Sequence, residues 1–174
     1  MLEKLYGFLS HYFTLFIITF LIGIFVVLPM MSDAMIEANG SDKTPDSEFF
    51  YSPDDLEVIA GEYSIDGKEI YMFTRFNLDL IWPIIYTTFF MSLIGLLTHQ
   101  SALKHKQLIY LLPIIGFLFD ILENVLCSLY FNVTDSTIIA NAAALASATK
   151  WIILFGLLVI IIKLSFEKAI NYIK

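Results

Sequence analysis

Apolar residues in this chain are concentrated in four long runs, at about 10–31, 78–98, 107–131 and 138–162. Each run reaches the roughly 20 residues that an α-helix needs to cross the hydrocarbon core of a bilayer. The first run is too long for the apolar part of a typical signal peptide and no small-x-small cleavage site follows it. The pattern predicts an all-α, four-transmembrane-helix bundle that forms a single membrane domain over residues 1–174.

The polar segment 32–77 between the first two runs contains the signals of a short helix. Ser52 is a predicted N-cap, Pro53 follows at the first helical position, and two aspartates occupy the first turn. We therefore expect an amphipathic helix over about 53–62 with one face to bury. Its apolar residues at helical spacing are Leu56, Ile59, Ala60 and Tyr63.

The end of this segment is expected to join the second spanning helix. Asp66 and Gly67 are a typical turn pair. Residues 68–77 then predict an extension of the second spanning helix beyond the membrane.

Composition agrees with a membrane protein and excludes several functional classes. Hydrophobic residues make up 58% of the chain and charged residues 16%, where soluble proteins have about half and a quarter. The net charge of −7 arises in the stretch Asp33 to Glu69, which holds eleven of the seventeen acids, and no basic patch predicts a nucleic-acid partner. The single cysteine, Cys127, excludes an intrachain disulfide. No Gly-rich phosphate loop or other cofactor motif is present, so no cofactor is predicted.

Lysines in the short segments predict the orientation in the membrane. The loop near Asn132 to Ser136 carries no lysine or arginine. By the positive-inside rule, both termini and the 99–106 loop are expected in the cytoplasm, with 32–77 outside. We expect the protein in the cytoplasmic (inner or plasma) membrane. The flanking lysines are Lys4, Lys104, Lys106, Lys163, Lys168 and Lys174.

Two membrane runs contain charged residues that should meet. Asp120, Glu123 and Asn124 lie at i, i+3 and i+4 and share one helix face. Asp120 is roughly 20 Å above the start of the third helix, and Lys150 is roughly 18 Å down the antiparallel fourth helix. Consecutive antiparallel helices are usually neighbours. The sequence predicts a buried ion pair of Lys150 with Glu123 or Asp120.

This predicted pair has two interpretations. A buried Lys–carboxylate pair can be a structural device that fixes helix register. Ionisable groups inside membranes are otherwise functional by default. Two acids facing one base leave a second carboxylate that must take up a proton, bind something or reach water.

A second polar set lies at i, i+4 and i+8, namely Tyr71, Arg75 and Asp79. One interpretation is an interfacial salt bridge with a tyrosine anchor. The other is the rim of an outward-facing pocket that leads to Glu123 and Asn124. Asp79 is the member expected to belong to both the rim and the intramembrane site.

Small residues make one half of the fourth helix almost smooth, and small residues let helices approach closely in lipid. They predict packing against the third helix or, alternatively, a homodimer face. A protein partner on the outer loop is a further prediction, beside the lipid bilayer itself. The small residues are Ala140, Ala142, Ala143, Ala144, Ala146, Ser147 and Ala148.

Three histidines fall near the predicted cytoplasmic boundary: His11, His99 and His105. They lack the HxxxH spacing and lie in the opposite half from the carboxylates. No metal site is predicted.

The chain resembles a group of small bacterial four-helix membrane proteins for which no activity is established. The group shares a Pro…Asp-x-x-Glu-Asn third helix, an Asp-x-x-x-Pro start to the second and a Lys-Trp-like fourth. The resemblance implies that Asp79, Asp120, Glu123, Asn124 and Lys150 form one site, and implies no reaction. The motifs that carry it are Pro113 to Leu126 (PIIGFLFDILENVL), Asp79-Leu80-Ile81-Trp82-Pro83 and Thr149-Lys150-Trp151.

The leading functional hypothesis is a non-enzymatic membrane protein that handles a small solute or ion, or an accessory subunit. In it, Lys150 neutralises one carboxylate, the second carboxylate binds a cation or proton, and Asn124 orients it. The alternatives are an intramembrane enzyme acting on a lipid or isoprenoid, with Glu123 as general acid/base and Asp120 or Asp79 assisting, and a purely structural or interaction protein.

Overall fold

The computed structural model describes residues 1–39, 44–45, 48–77, 79–98, 106–133 and 135–173. In these ranges the chain is helical and has no strand. The described residues include four helices long and apolar enough to cross a membrane, at Phe13–Asp33, Ile65–Thr98, Lys106–Asn132 and Thr137–Asn171. The four apolar runs of the sequence thus correspond to four candidate membrane-spanning helices, which are called membrane helices below.

The helices are named in chain order. They are α1 (Leu2–His11), α2 (Phe13–Ile22), α3 (Leu28–Asn39), α4 (Pro53–Glu62), α5 (Ile65–Asn77), α6 (Ile81–Thr98), α7 (Lys106–Asn132) and α8 (Thr137–Ile173), with a π-helical turn at Gly23–Val27 between α2 and α3.

The first membrane helix is interrupted at two positions, between α1 and α2 and between α2 and α3. Tyr12 has φ −101° and ψ 23°, which separates α1 from α2. The π-helical turn ends at Val27, two residues before Pro29. Proline lacks an amide hydrogen and its ring clashes with the carbonyl four residues earlier, so a wider turn there accommodates it. The sequence pattern did not predict α1 as a separate helix.

One end of the bundle, called the terminal end, brings both ends of the chain together. The Tyr6 hydroxyl of α1 donates to the Tyr110 carbonyl of α7 at 2.6 Å, and the two rings stack at 3.9 Å. Lys168 near the end of α8 donates to the Leu96 carbonyl at 2.9 Å. The N-terminus, the end of α6, the start of α7 and the last turns of α8 therefore meet there.

The opposite end, called the loop end, is covered by α4. Ser52 Oγ accepts from the Asp55 amide at 3.2 Å, and Asp55 Oδ2 accepts from the Ser52 amide at 2.8 Å. This capping box starts the helix at the position that the sequence predicts. The expected apolar face of α4 is buried against α7 and α8, in a cluster with Tyr51, Tyr71, Cys127, Tyr130, Phe131, Ala140 and Ala143.

The predicted turn at Asp66-Gly67 is wrong. α5 begins at Ile65, because the Ser64 hydroxyl accepts from the Gly67 amide at 3.0 Å and caps the helix there. The chain turns instead at Asp79-Leu80, between α5 and α6. The second membrane helix is therefore broken next to an acidic residue of the predicted site.

The small-residue stretch of α8 packs inside the chain. Ala143, Ala146 and Ser147 are buried where α8 lies along α7. Small side chains allow this close approach, which positions Lys150 against the polar face of α7. A homodimer through the remaining surface of α8 stays a prediction.

Candidate functional site

Lys150 lies between two carboxylates of α7. Its Nζ atom is 2.6 Å from Oε2 of Glu123 and 3.3 Å from Oδ1 of Asp120. All three side chains are buried, and Glu123 has no exposed surface. The i, i+3 spacing places both carboxylates on one face of α7. The enclosed Glu123, at the shorter distance, is the main ion-pair anchor of the ammonium group, which donates its hydrogen bond to Asp120.

The second oxygen of Asp120 has its own partner on α6. The Tyr86 hydroxyl donates to Oδ2 of Asp120 at 2.6 Å. The sequence reasoning missed Tyr86. The position of this tyrosine inside an apolar run could have indicated its role, because a buried tyrosine hydroxyl usually has a hydrogen-bond partner.

Arg75 and Asp79 form a second buried pair at the junction of α5 and α6. Their closest atoms are 2.5 Å apart, and only 3% and 9% of the two side chains are exposed. The Arg75 guanidinium lies 4.7 Å from the centre of the Tyr71 ring. Tyr71 is not at a pocket rim: it is fully buried, with its ring 4.4 Å from that of Phe131. The aromatic cluster under α4 encloses it.

A cavity of about 510 Å³ connects the two charged pairs. Four charged side chains, Tyr86 and three side chains with aliphatic hydroxyls form its polar part, and apolar or aromatic residues of the first membrane helix, α6 and α8 form the rest. Glu123 and Asn124 do not line it, so the cavity leads to Asp120 and Lys150 instead. The lining residues are Phe20, Leu28, Met31, Ser32, Thr44, Thr74, Arg75, Asp79, Trp82, Tyr86, Phe90, Asp120, Lys150, Trp151 and Leu154.

Behind the cavity, Glu123 belongs to an enclosed polar layer. The Tyr51 hydroxyl is 3.3 Å from Cys127 Sγ and also faces the Glu123 carboxylate. Burial, with Cys127 and Glu123 beside it, raises the pKa of Tyr51, so this hydroxyl stays protonated and able to donate. Neither side-chain polar atom of Asn124 has a hydrogen-bond partner among the described residues. Asn124 therefore does not orient either carboxylate directly.

The charges of the site do not balance within the described part of the chain. Three carboxylates, those of Asp79, Asp120 and Glu123, face the cations of Arg75 and Lys150. One negative charge is in excess when all five groups are ionised. Arg75 holds Asp79, and Lys150 is shared between Glu123 and Asp120, so Asp120 has the longest ion-pair contact of the three carboxylates.

The described residues contain no group of three or more His, Cys, Asp or Glu side chains arranged to hold a metal ion. His11 is exposed at the end of α1. His99, His105 and most of the segments 39–48 and 99–106 lie outside the described residues.

The chain matches no protein-family model, no curated protein and no solved structure.

Proposed function

We propose that this protein binds a small, positively charged solute in the cavity and that Asp120 is the carboxylate that recognises it. The observation that carries the proposal is that the ammonium group of Lys150 contacts two carboxylates at once. Lys150 is 2.6 Å from the enclosed Glu123 and 3.3 Å from Asp120, which lines the cavity.

Binding would change few contacts within the site. A cationic group in the cavity pairs with Asp120 and replaces its longer contact with Lys150, while Glu123 keeps the ammonium in place. Tyr86 holds the other oxygen of Asp120 and fixes the direction of the carboxylate. An approaching cation also supplies the positive charge that the site lacks, and low water content strengthens such a pair.

The proposed orientation places the loop end outside the membrane and both termini in the cytoplasm. The lysine distribution of the sequence favours it. The meeting of the N-terminus and the last turns of α8 at one end supports it. In this orientation Arg75 and Asp79 lie at the outer end of the cavity, and the solute is handled from the outer side.

The chain contains a direct reporter of the cavity. Its two tryptophans, Trp82 and Trp151, both belong to the lining. Protein in phosphatidylcholine nanodiscs is titrated with butylammonium and with butyrate, which has a similar chain and the opposite charge. We expect a saturable change of tryptophan fluorescence with butylammonium and none with butyrate.

Two matched variants complete the experiment. Asp120→Asn should abolish the response, whereas Asp54→Asn, at an exposed acid of α4, should leave it unchanged. Circular dichroism checks that each variant is folded. Equal responses to the two probes, or a full response in Asp120→Asn, would overturn the proposal.

The apolar lining favours a second candidate, an enzyme acting on a lipid or isoprenoid. Its general acid/base would be Asp120, which lines the cavity and accepts from Tyr86, rather than the enclosed Glu123. Incubation with a lipid extract and mass spectrometry tests this candidate: a product formed by the parent and absent with Asp120→Asn would favour it over binding alone.

A further inference from the structure

The cavity has two chemically different walls. One side is polar, with Arg75 on α5, Asp79 in the turn before α6, Tyr86 on α6 and Asp120 on α7. The first membrane helix contributes mainly apolar residues on the other, and α8 adds Trp151 and Leu154 next to Lys150. A volume of about 510 Å³ is in the range that holds one drug-sized ligand. A ligand that fills it must have both a polar group and an apolar body.

Aromatic rings form a continuous row along the cavity. The ring of Phe20 is 5.6 Å from that of Trp82, Trp82 is 5.8 Å from Tyr86, and Tyr86 is 6.2 Å from Phe90. Aromatic faces attract cations, and groups of aromatic rings are a usual recognition element for quaternary ammonium groups. The row passes through Tyr86, whose hydroxyl contacts Asp120.

The apolar wall lies where two membrane helices are not packed together. The first membrane helix packs on α5 and α6, and α8 packs on α6 and α7. No extended packing joins the first membrane helix to α8 among the described residues. Both helices carry exposed apolar residues next to the lining, such as Phe25 and Phe155, which suit contact with acyl chains.

Resting on the proposed function, we infer that the solute is a lipophilic ammonium cation. Its head group lies between the aromatic row and Asp120, and its apolar body lies along the first membrane helix and Leu154. Arg75 and Lys150 also face the cavity, but each is held by a carboxylate, Asp79 and Glu123 respectively. Asp120 has the longer contact with Lys150 and lines the cavity, so it is the carboxylate that the ammonium group would engage.

Two probes with one head group test this inference. Tetramethylammonium carries the charge alone, and hexyltrimethylammonium adds an apolar chain. Each is titrated against protein in phosphatidylcholine nanodiscs with tryptophan fluorescence as the readout. We expect hexyltrimethylammonium to bind at least about tenfold more tightly, since each buried methylene group contributes roughly fourfold.

Variants distinguish binding in the cavity from partition of the probes into the bilayer. Leu154→Ala should weaken hexyltrimethylammonium binding by about tenfold and leave tetramethylammonium unchanged. Leu158→Ala makes the same change one turn further along α8, at a residue that is 45% exposed and outside the lining, and should affect neither probe. Asp120→Asn should abolish binding of both.

The outcomes are distinguishable. Equal affinities that both require Asp120 would overturn the lipophilic ligand and keep the proposed function. Tighter binding of hexyltrimethylammonium that is the same in Leu154→Ala and Leu158→Ala would mean partition into the bilayer only, and would also overturn the inference. Absence of binding by both probes would overturn the proposed function itself.

Discussion

Replacement of Lys150 by methionine tests the central interaction of the site. Methionine keeps most of the length and apolar contacts of the lysine stem and removes the charge. The ammonium group is 2.6 Å from Glu123 and 3.3 Å from Asp120, and all three side chains are buried. Loss of one partner of a buried ion pair typically costs about 3–5 kcal/mol, because the remaining charge is left without compensation. We expect Lys150→Met to lower the free energy of unfolding by that amount.

The second step identifies which carboxylate is left without compensation. Glu123 is enclosed, whereas Asp120 reaches the cavity and keeps the Tyr86 hydroxyl. Adding Glu123→Gln to Lys150→Met should therefore restore most of the lost stability, since a neutral pair of similar volume is well tolerated. Adding Asp120→Asn should restore less.

Unfolding in bicelles by titration with sodium dodecyl sulfate provides the measurement. Lys163→Met is the matched control, because Lys163 is 74% exposed and its removal should change stability by less than about 0.5 kcal/mol. A Lys150→Met variant as stable as Lys163→Met would refute the buried pair. Equal rescue by the two carboxylate substitutions would refute the role of Glu123 as the main anchor.

Three further predictions concern the parts of the fold that hold the site. Gly95→Ala should cost about 1–3 kcal/mol in the same assay, because a Cβ there would overlap the carbonyl of Tyr6. Gly156→Ala meets nothing within 4 Å and should be neutral or stabilising by up to about 1 kcal/mol. Ser52→Ala should destabilise the start of α4 by about 1 kcal/mol, seen as faster amide exchange in that helix. Hydrogen bonds from Ser52 lower the pKa of Asp55, so the contribution of Asp55 is complete above the ordinary aspartate pKa and is lost as the pH falls through the lowered value. The exchange difference between parent and Ser52→Ala should shrink in that acidic range.

The depth of a charged residue in the membrane could be predicted from the sequence alone. Residues rise by 1.5 Å in a helix, and antiparallel neighbours joined by a short loop have known relative depth. These two facts bring Lys150 to the level of Asp120 and Glu123, and the structure places them in contact. Few other partners exist at that depth, because charged groups are rare in hydrocarbon.

The rotation of each helix about its axis could not be predicted in the same way. Asp120 and Glu123 are on one face of α7, yet only Asp120 reaches the cavity. A small rotation of α7 would exchange their environments, and the sequence pattern is similar for both positions. The burial of Tyr71 likewise depends on how α4 closes over the loop end, which local signals do not determine.

The cavity lies where the first membrane helix and α8 have no extended packing among the described residues. The spacing of apolar residues in a sequence does not predict such a gap between helices. The first membrane helix leans on α6 at Gly23, where any Cβ would be only 2.7 Å from the Trp82 ring. None of the residues of α2 is buried, so this helix is held mainly by its contact with α6. Glycine at position 23 thus lets a peripheral helix approach Trp82, while among the described residues this helix has no extended packing on α8. The charged pair could be predicted from the depth of its residues on α7 and α8, whereas access to the pair depends on the position of the first membrane helix.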